Sequence, residues 1–203
     1  MLFKNHFSRA VLICLVSFTS FDANAFDIFA LGTSNLNCKG VPLENTVTVQ
    51  LEKLLKEDGI NARVINSAKN GDKPIYMVSR IQTALENPKI KIVLFEPGPN
   101  DKDKSSNIEY TEKILALIKE KNIPTVYFRT AQIQSEEEGE ATAKKFNAIY
   151  YGNWTRDIPV DTEHRQYDNG IGAGHLASAG CVVWAKNIYP IVKKIITDNQ
   201  IKD

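Results

Sequence analysis

Histidine, cysteine and tryptophan are scarce in this chain, and the motifs that usually bind cofactors are missing. Its 203 residues include three histidines, three cysteines and two tryptophans. The sequence has no H-x-x-x-H or C-x-x-C spacing to bind a metal, and no glycine-rich phosphate loop follows the first predicted strand. We therefore expect a protein that works without a metal, nucleotide or other cofactor.

Long apolar runs are also absent after residue 25, so we expect no integral membrane span in the mature chain. The apolar run before that point, Ala10–Phe18, follows two basic residues and precedes a small-x-small tripeptide at residues 23–25. This pattern is typical of a secretory signal peptide, and the run is too short to cross a bilayer. We expect residues 1–25 to be removed, residues 26–203 to form one domain, and the product to be periplasmic or secreted.

Loss of the leader would leave a chain with balanced charge and two cysteines. Residues 26–203 contain 23 basic and 23 acidic residues, so no cationic field is available for binding nucleic acid. The remaining cysteines, Cys38 and Cys181, would reach a compartment in which disulfides persist. On the sequence, a bridge between them and two buried free thiols are both open.

Four short segments rich in β-branched and aromatic residues are predicted to be strands. They lack the polar alternation of a half-exposed strand, which indicates burial on both faces and therefore a parallel sheet. A fifth, short strand is predicted in the irregular region after Gly152, at Ile158–Val160. The four principal candidates are Phe26–Leu31, Asn61–Ile65, Ile90–Glu96 and Thr125–Arg129.

Helical segments with one apolar face alternate with these strands. Five are predicted: over Glu44–Asp58 and Ile75–Glu86, from capping boxes at Ser106 and Ser135, and from a start near Ser178. The alternation predicts a single three-layer α/β/α domain, with helices on both faces of a doubly wound sheet of four to five parallel strands.

Four polar, glycine-containing segments follow the predicted strands or lead into the last helix. In a doubly wound parallel sheet, the carboxyl ends of the strands meet at one crevice, where ligands bind. We therefore expect the four segments to lie together. They are the turn at Ser34, Asn66–Asp72, Gly98–Asp101 and Gly174–Gly180.

The residue types in these segments are those that acyl transfer requires. Ser34 can act as a nucleophile, and His175 as the base that takes its proton. The backbone N–H groups of Gly71 and Ser34 and the side-chain amide of Asn100 can form an oxyanion hole. Each residue type also has an ordinary structural use, since serine and asparagine cap helices and glycine closes turns. The four segments together favour the catalytic interpretation.

The motifs in these segments resemble those of the SGNH, or GDSL-type, hydrolases. G-T-S-N at residues 32–35 and N-x-x-x-x-G-D at residues 66–72 resemble the first two family blocks, while G-P-N-D at residues 98–101 and His175-Leu176 resemble the last two. The resemblance covers the whole mature chain and is nearest to the small exported bacterial esterases, thioesterases and lysophospholipases. It implies a flavodoxin-like sheet and a serine esterase that acts on a small acyl ester or thioester through an acyl-enzyme.

The chain departs from the family pattern at two positions. Thr33 replaces the aspartate of G-D-S, a change from which we expect little effect. The family's acid lies three residues before the histidine, where this chain has Gly172. Asp168 or a backbone carbonyl would then have to orient His175, fixing its tautomer and stabilising its charged form.

A second acid–histidine pair, Asp161 and His164, has the family spacing. It lies eleven residues before Gly172 and His175. No glycine-marked helix entry follows His164, so His175 is the preferred base. Aromatic residues of the same region could line a substrate mouth or belong to the core: Tyr150, Tyr151, Trp154 and Tyr167.

Two other functions are open on the sequence. An exported binding protein could keep the fold and the pocket without turnover, and Gly172 at the position of the acid favours this alternative. A deacetylase of cell-surface glycans is the other, because related folds carry several ester chemistries.

Overall fold

The computed structural model describes residues 25–167 and 174–201, in which strands and helices alternate along the chain. The strands are β1 (Phe26–Leu31), β2 (Ala62–Asn66), β3 (Ile90–Phe95), β4 (Thr125–Arg129) and β5 (Ile149–Asn153). The helices are α1 (Val47–Glu57), α2 (Pro74–Ala84), α3 (Lys104–Glu120), α4 (Glu136–Lys145) and α5 (Ser178–Asp198). The predicted leader, apart from Ala25, lies outside the described residues. So do Gly172, at the family's acid position, and Asp168, the candidate acid.

The five strands form one sheet in the order β2-β1-β3-β4-β5, and every pair is parallel. All residues of β1 and β4 are buried, and Lys91 is the exposed residue of β3. Burial on both faces explains why these strands are nearly continuous apolar runs. The predicted doubly wound parallel sheet is confirmed.

The predicted position of the fifth strand, Ile158–Val160, is wrong. β5 is instead an edge strand at Ile149–Asn153, and it pairs with β4 through a bulge at Tyr151. Gly152 in this strand has a φ of +91°. Ile149, Tyr150 and Tyr151 favour a strand, whereas Gly152 and Asn153 disfavour one, so the composition indicates only the first three residues of this element.

Helices cover both faces of the sheet and enclose two separate apolar cores, which confirms the three-layer architecture. On one face, α1 and α5 contribute Leu51, Leu55, Trp184, Ile188 and Val192, which pack with Ile28, Ile92 and Phe128 of the sheet. On the other face, α2 and α3 contribute Met77, Ile81, Ile114 and Ile118, which pack with Leu31, Val93 and Phe95. Among the helices that the structure describes, none has the combined length and apolar character that crossing a bilayer requires.

The helix starts match the sequence signals in one case and not in another. The capping box at Ser135 is present at the start of α4, as predicted. The predicted start of α3 at Ser106 is wrong, because Asp103 caps this helix and accepts a hydrogen bond from the backbone N–H of Ser105 at 2.9 Å. An aspartate cap lies three residues earlier than the capping box and satisfies the first N–H groups before the box is reached.

The sheet topology places the functional crevice beside β1. The chain leaves β1 for β2 on one side and later returns to β3 on the other, so the winding direction reverses between β1 and β3. Leu31 and Phe95, the last residues of these two strands, are register partners. Loops that follow β1 and β3 therefore leave the sheet side by side, at the position where such folds bind ligands.

Candidate active site

Ser34 lies in a single helical turn that begins directly after β1. The backbone N–H of Lys39 donates to the carbonyl of Ser34, and that of Asn37 to the carbonyl of Thr33, both at 3.0 Å. Gly32 allows the chain to enter this turn, because a Cβ at this position would lie 2.9 Å from the Cβ of Leu36. We call residues 32–40 the nucleophile turn.

His175 reaches the nucleophile turn from the far end of the sequence. Its Nε2 lies 2.8 Å from Ser34 Oγ, a hydrogen-bond distance, although 141 residues separate the two. The ring is half-buried and the serine is 8 % exposed. A neutral imidazole with an unprotonated Nε2 accepts the hydroxyl proton in this geometry, which is the arrangement that activates a serine nucleophile.

Gln166 ties the segment that carries His175 to the nucleophile turn. The backbone N–H of Gln166 donates to the His175 carbonyl at 2.7 Å. Its side-chain Nε2 donates to the carbonyls of Lys39 and Leu176, each at 2.8 Å. The sequence analysis missed this residue, since a glutamine in a polar loop carries no signal of its own.

A disulfide joins the same two segments. Cys38, four residues after Ser34, is bonded to Cys181, six residues after His175, with a Cα–Cα distance of 6.4 Å. The alternative that the sequence left open is thereby resolved in favour of the bridge. It cross-links the nucleophile turn to the first turn of α5.

The rival histidine has a different environment. His164 Nδ1 lies 2.7 Å from Asp161 Oδ1, which also accepts the His164 backbone N–H at 2.9 Å. These hydrogen bonds lower the pKa of the Asp161 carboxyl. The His164 carbonyl packs against α5, where a Cβ at Gly180 would lie 2.2 Å from it. The acid–histidine pair therefore forms as a loop contact, whereas His175 is the histidine that meets Ser34.

Asn100 and the turn at Gly71 are joined by a hydrogen bond. Asn100 Nδ2 donates to the backbone carbonyl of Asp72 at 2.9 Å. Gly71, which precedes that carbonyl, has a φ of +74°, is exposed, and is not among the described residues that line the cleft. Asp72 is buried, and its carboxylate pairs with the Arg80 guanidinium.

A cleft of about 120 Å³ opens at Ser34 and His175. Three carboxamide side chains and one indole contribute to its walls; the described lining residues are Ser34, Asn35, Pro99, Asn100, Gln132, Trp154, Gly174 and His175. Of the four aromatic residues considered above, Trp154 lines this cleft and Tyr151 is fully buried in the core. Larger cavities, of about 390 to 620 Å³, open elsewhere, but their described walls contain neither histidine nor serine.

Glu96 is a second residue that the sequence analysis did not identify. It follows β3 directly and is fully buried, and its Oε2 accepts hydrogen bonds from the N–H and the hydroxyl of Thr33 at 2.9 and 2.7 Å. Its Oε1 accepts one from Asn35 Nδ2 at 3.1 Å. Burial raises the pKa of the Glu96 carboxyl, and the hydrogen bonds oppose this effect. An acid at the end of an otherwise apolar strand was the available signal.

Among residues 25–167 and 174–201, no three histidine, cysteine, aspartate or glutamate side chains come together as metal ligands would.

Comparison with solved structures identifies the fold. The structure of TesA superimposes with a TM-score of 0.73 at 18% identity, covering 83% of this chain and 99% of that one. The psychrotrophic esterase EstA from Pseudoalteromonas sp. gives 0.70 at 16% identity, covering 84% and 98%. AlinE4, an SGNH-hydrolase family esterase, gives 0.56 at 20% identity, covering 84% and 96%. This chain has the fold of these hydrolases, as the sequence motifs predicted.

Sequence comparison alone does not reach these relatives. No protein-family model matches the chain, and no curated protein matches it.

Proposed function

We propose that this chain, which has the fold of SGNH hydrolases, is a serine esterase that cleaves carboxylic ester or thioester bonds. One observation carries the proposal: Ser34 Oγ lies 2.8 Å from His175 Nε2 at the carboxyl end of a central strand of the sheet. Acyl transfer through a covalent intermediate requires a nucleophile paired with a base in a crevice that binds the substrate.

The reaction begins when His175 Nε2 takes the proton of Ser34 and Ser34 Oγ attacks the carbonyl carbon of the ester. The tetrahedral intermediate then carries a negative oxygen. His175 passes its proton to the departing alcohol or thiol, which leaves an acyl group on Ser34. A water molecule, deprotonated by the same imidazole, hydrolyses this acyl-enzyme and restores the free serine.

Three N–H groups are proposed to stabilise the negative oxygen: those of Ser34, Gly71 and the Asn100 side chain. The Asn100 amide has two N–H donors, and its bond to the Asp72 carbonyl fixes the plane of the amide while using one of them. The second is available for the substrate oxygen. Donors that are held in place before the reaction stabilise the transition state without reorganisation.

The orientation of His175 is proposed to depend on Asp168 or on a backbone carbonyl, the two alternatives that the sequence left open. Fixing the tautomer with the proton on Nδ1 leaves Nε2 ready to accept from Ser34. The backbone bond from Gln166 to the His175 carbonyl supports the same arrangement by holding the segment itself.

The described walls of the cleft indicate the kind of alcohol group the substrate carries. The carboxamides of Asn35, Asn100 and Gln132 give the walls a polar character that suits an ester with a polar alcohol.

Export is part of the proposal. The pattern of residues 1–25 indicates a signal peptide, and a disulfide such as Cys38–Cys181 persists in the periplasm or outside the cell.

The decisive experiment compares single variants of the full mature chain with p-nitrophenyl acetate. We expect Ser34→Ala and His175→Ala to lose nearly all turnover and His164→Ala to keep most of it. A fluorophosphonate probe should label the wild type and not Ser34→Ala. An unlabelled wild type would favour the non-catalytic binding protein, and an inactive His164→Ala with an active His175→Ala would reassign the base.

A further inference from the structure

One buried carboxylate contacts the residues on both sides of the proposed nucleophile. Glu96 accepts two hydrogen bonds from Thr33 through Oε2 and one from Asn35 through Oε1. Ser34 lies between these two residues in the sequence, and Asn35 forms part of the cleft wall. Both sequence neighbours of Ser34 are therefore held by one side chain, which comes directly after β3.

Stability alone is a poor explanation for an acid at this place. Glu96 is fully buried, and no ion pair to it occurs within the described ranges 25–167 and 174–201. A buried carboxylate without a cation is costly to desolvate, and apolar residues often replace buried charges with no loss of stability. What an apolar residue cannot supply is two acceptor oxygens at fixed positions.

The same carboxylate also reaches the loop that carries Asn100. Thr33, held by Glu96, packs so closely under Gly98 that a Cβ at that position would lie 2.2 Å from Thr33 Cγ2. The loop backbone therefore rests directly on the Thr33 side chain. Asn107 holds this loop from its other side by donating to the Gly98 carbonyl at 2.9 Å. A shift of Thr33 would move the loop and Asn100 with it.

We propose that Glu96 is a positioning residue for acyl transfer. It fixes the position of the Ser34 hydroxyl relative to that of the Asn100 amide, which it reaches through Thr33 and Gly98. This inference rests on the proposed esterase function and extends it to a residue that touches neither the substrate nor His175.

The chemistry of the contacts makes glutamine a sharp test. The Thr33 backbone N–H and the Asn35 amide N–H donate and cannot accept, and each uses a different oxygen of Glu96. In Glu96→Gln one of the two oxygens becomes an NH2 group, so the Asn35 amide either faces another donor or turns over to accept from that group with its oxygen. The shape of the side chain is nearly unchanged, whereas the geometry around Ser34 is not.

The experiment measures kcat and KM for p-nitrophenyl acetate, together with the rate constant for labelling by the fluorophosphonate. We expect Glu96→Gln to lower kcat and the labelling rate by about 10- to 100-fold, because small displacements of reacting groups cost this much. KM should change by less than about threefold, since substrate binding is not the property disturbed.

Two further variants keep the test decisive. Thr33→Val removes one donor to Glu96 but keeps the branched shape under Gly98, so it answers the question if Glu96→Gln does not fold. The proposal expects a smaller loss of kcat in Thr33→Val, and no further loss when it is combined with Glu96→Gln, because both changes break one unit.

The matched control is Asp27→Asn. Asp27 is another buried carboxylate of the same sheet, 1 % exposed, but it lies at the opposite end of β1 and pairs with Arg63 at 2.9 Å. We expect this variant to lower the melting temperature and leave kcat unchanged.

Each outcome decides one way. An active, labelled wild type beside a folded Glu96→Gln or Thr33→Val variant with unchanged kcat and labelling rate would overturn the positioning role and leave the esterase proposal intact. Equal losses of kcat in Asp27→Asn would also overturn it, since they would show a general effect of destabilisation. A wild type that neither turns over esters nor reacts with the probe would overturn the proposed function and this inference together.

Discussion

Asn100 Nδ2 donates to the backbone carbonyl of Asp72 at 2.9 Å, which joins the loop after β3 to the turn after β2. Gly71, the other distant donor proposed for the oxyanion, immediately precedes that carbonyl. The hydrogen bond therefore couples the position of the Asn100 amide to that of the Gly71 backbone. A substitution at either end of this bond should raise the activation free energy of the reaction more than it lowers the free energy of unfolding.

Asn100→Ala should lower kcat by about 10²- to 10³-fold, because it removes one proposed oxyanion donor. The free energy of unfolding should change little, since the side chain is only half-buried. Steady-state kinetics and thermal unfolding of the same preparation measure both quantities. Gln82→Ala, at an exposed position of α2, is the control and should keep full activity. A folded Asn100→Ala enzyme with wild-type kcat would reduce Asn100 to a loop contact.

Arg80→Met should reduce activity from outside the cleft. The guanidinium pairs with the Asp72 carboxylate and donates to the Ser67 carbonyl at 3.2 Å, so it fixes the turn whose carbonyl holds Asn100. Loss of the pair leaves Asp72 buried without a cation and should lower the free energy of unfolding by about 3 kcal/mol.

The kinetic part of this prediction is a fall in kcat of about tenfold with a smaller change in KM. Arg63→Met is the comparison, since it breaks an Arg–Asp pair at the opposite end of the sheet. Equal kcat in the two variants would show that the Arg80 pair only stabilises the fold.

Much of this site could be predicted from the sequence because its residues follow apolar strands. A run such as Ile90–Phe95 indicates a buried parallel strand, and the chemistry of Asn100 then falls at its carboxyl end. Gln166 and Glu96 could not be predicted in the same way. Their roles arise from contacts with Lys39 and Thr33 that lie far away in the sequence, and no local pattern records such contacts.

β5 shows a different limit of sequence reasoning. Its residues include Gly152 and Asn153, which disfavour strands, and one side of the segment is an exposed sheet edge. Pairing with β4 overrides this weak propensity. A segment whose structure depends on its neighbour carries too little information of its own.

Asp161→Asn should lower the melting temperature at neutral pH and leave kcat unchanged. Hydrogen bonds from His164 lower the pKa of the folded Asp161 carboxyl below its unfolded value of about 3.9. An acid whose folded pKa is lowered stabilises the fold above its unfolded pKa, and this contribution is lost as the pH falls through the folded value.

The wild type should therefore have the higher melting temperature at pH 7, and the two melting temperatures should converge as the pH falls below the unfolded pKa of about 3.9. Glu163→Gln, at an exposed position two residues away, should follow the wild-type curve. A large loss of kcat in Asp161→Asn would instead assign the Asp161–His164 pair to catalysis.

Removal of the disulfide in Cys38→Ala/Cys181→Ala should destabilise the folded chain strongly. The bridge closes a loop with a sequence separation of 143 residues, for which the chain-entropy model gives about 4 to 5 kcal/mol. Thermal unfolding of the double variant, and of the wild type with reductant, should give similar lowered midpoints. A midpoint equal to that of the oxidised wild type would show that the bridge adds nothing to stability.

The separation of 141 residues between Ser34 and His175 also has a consequence for protein synthesis. The ribosome makes the proposed nucleophile first and its base only 141 residues later. No nascent or truncated chain that ends before residue 175 can contain the proposed catalytic pair. Ester hydrolysis would therefore begin only after residue 175 has been made, and a premature stop codon before that residue would yield a product with an inert serine.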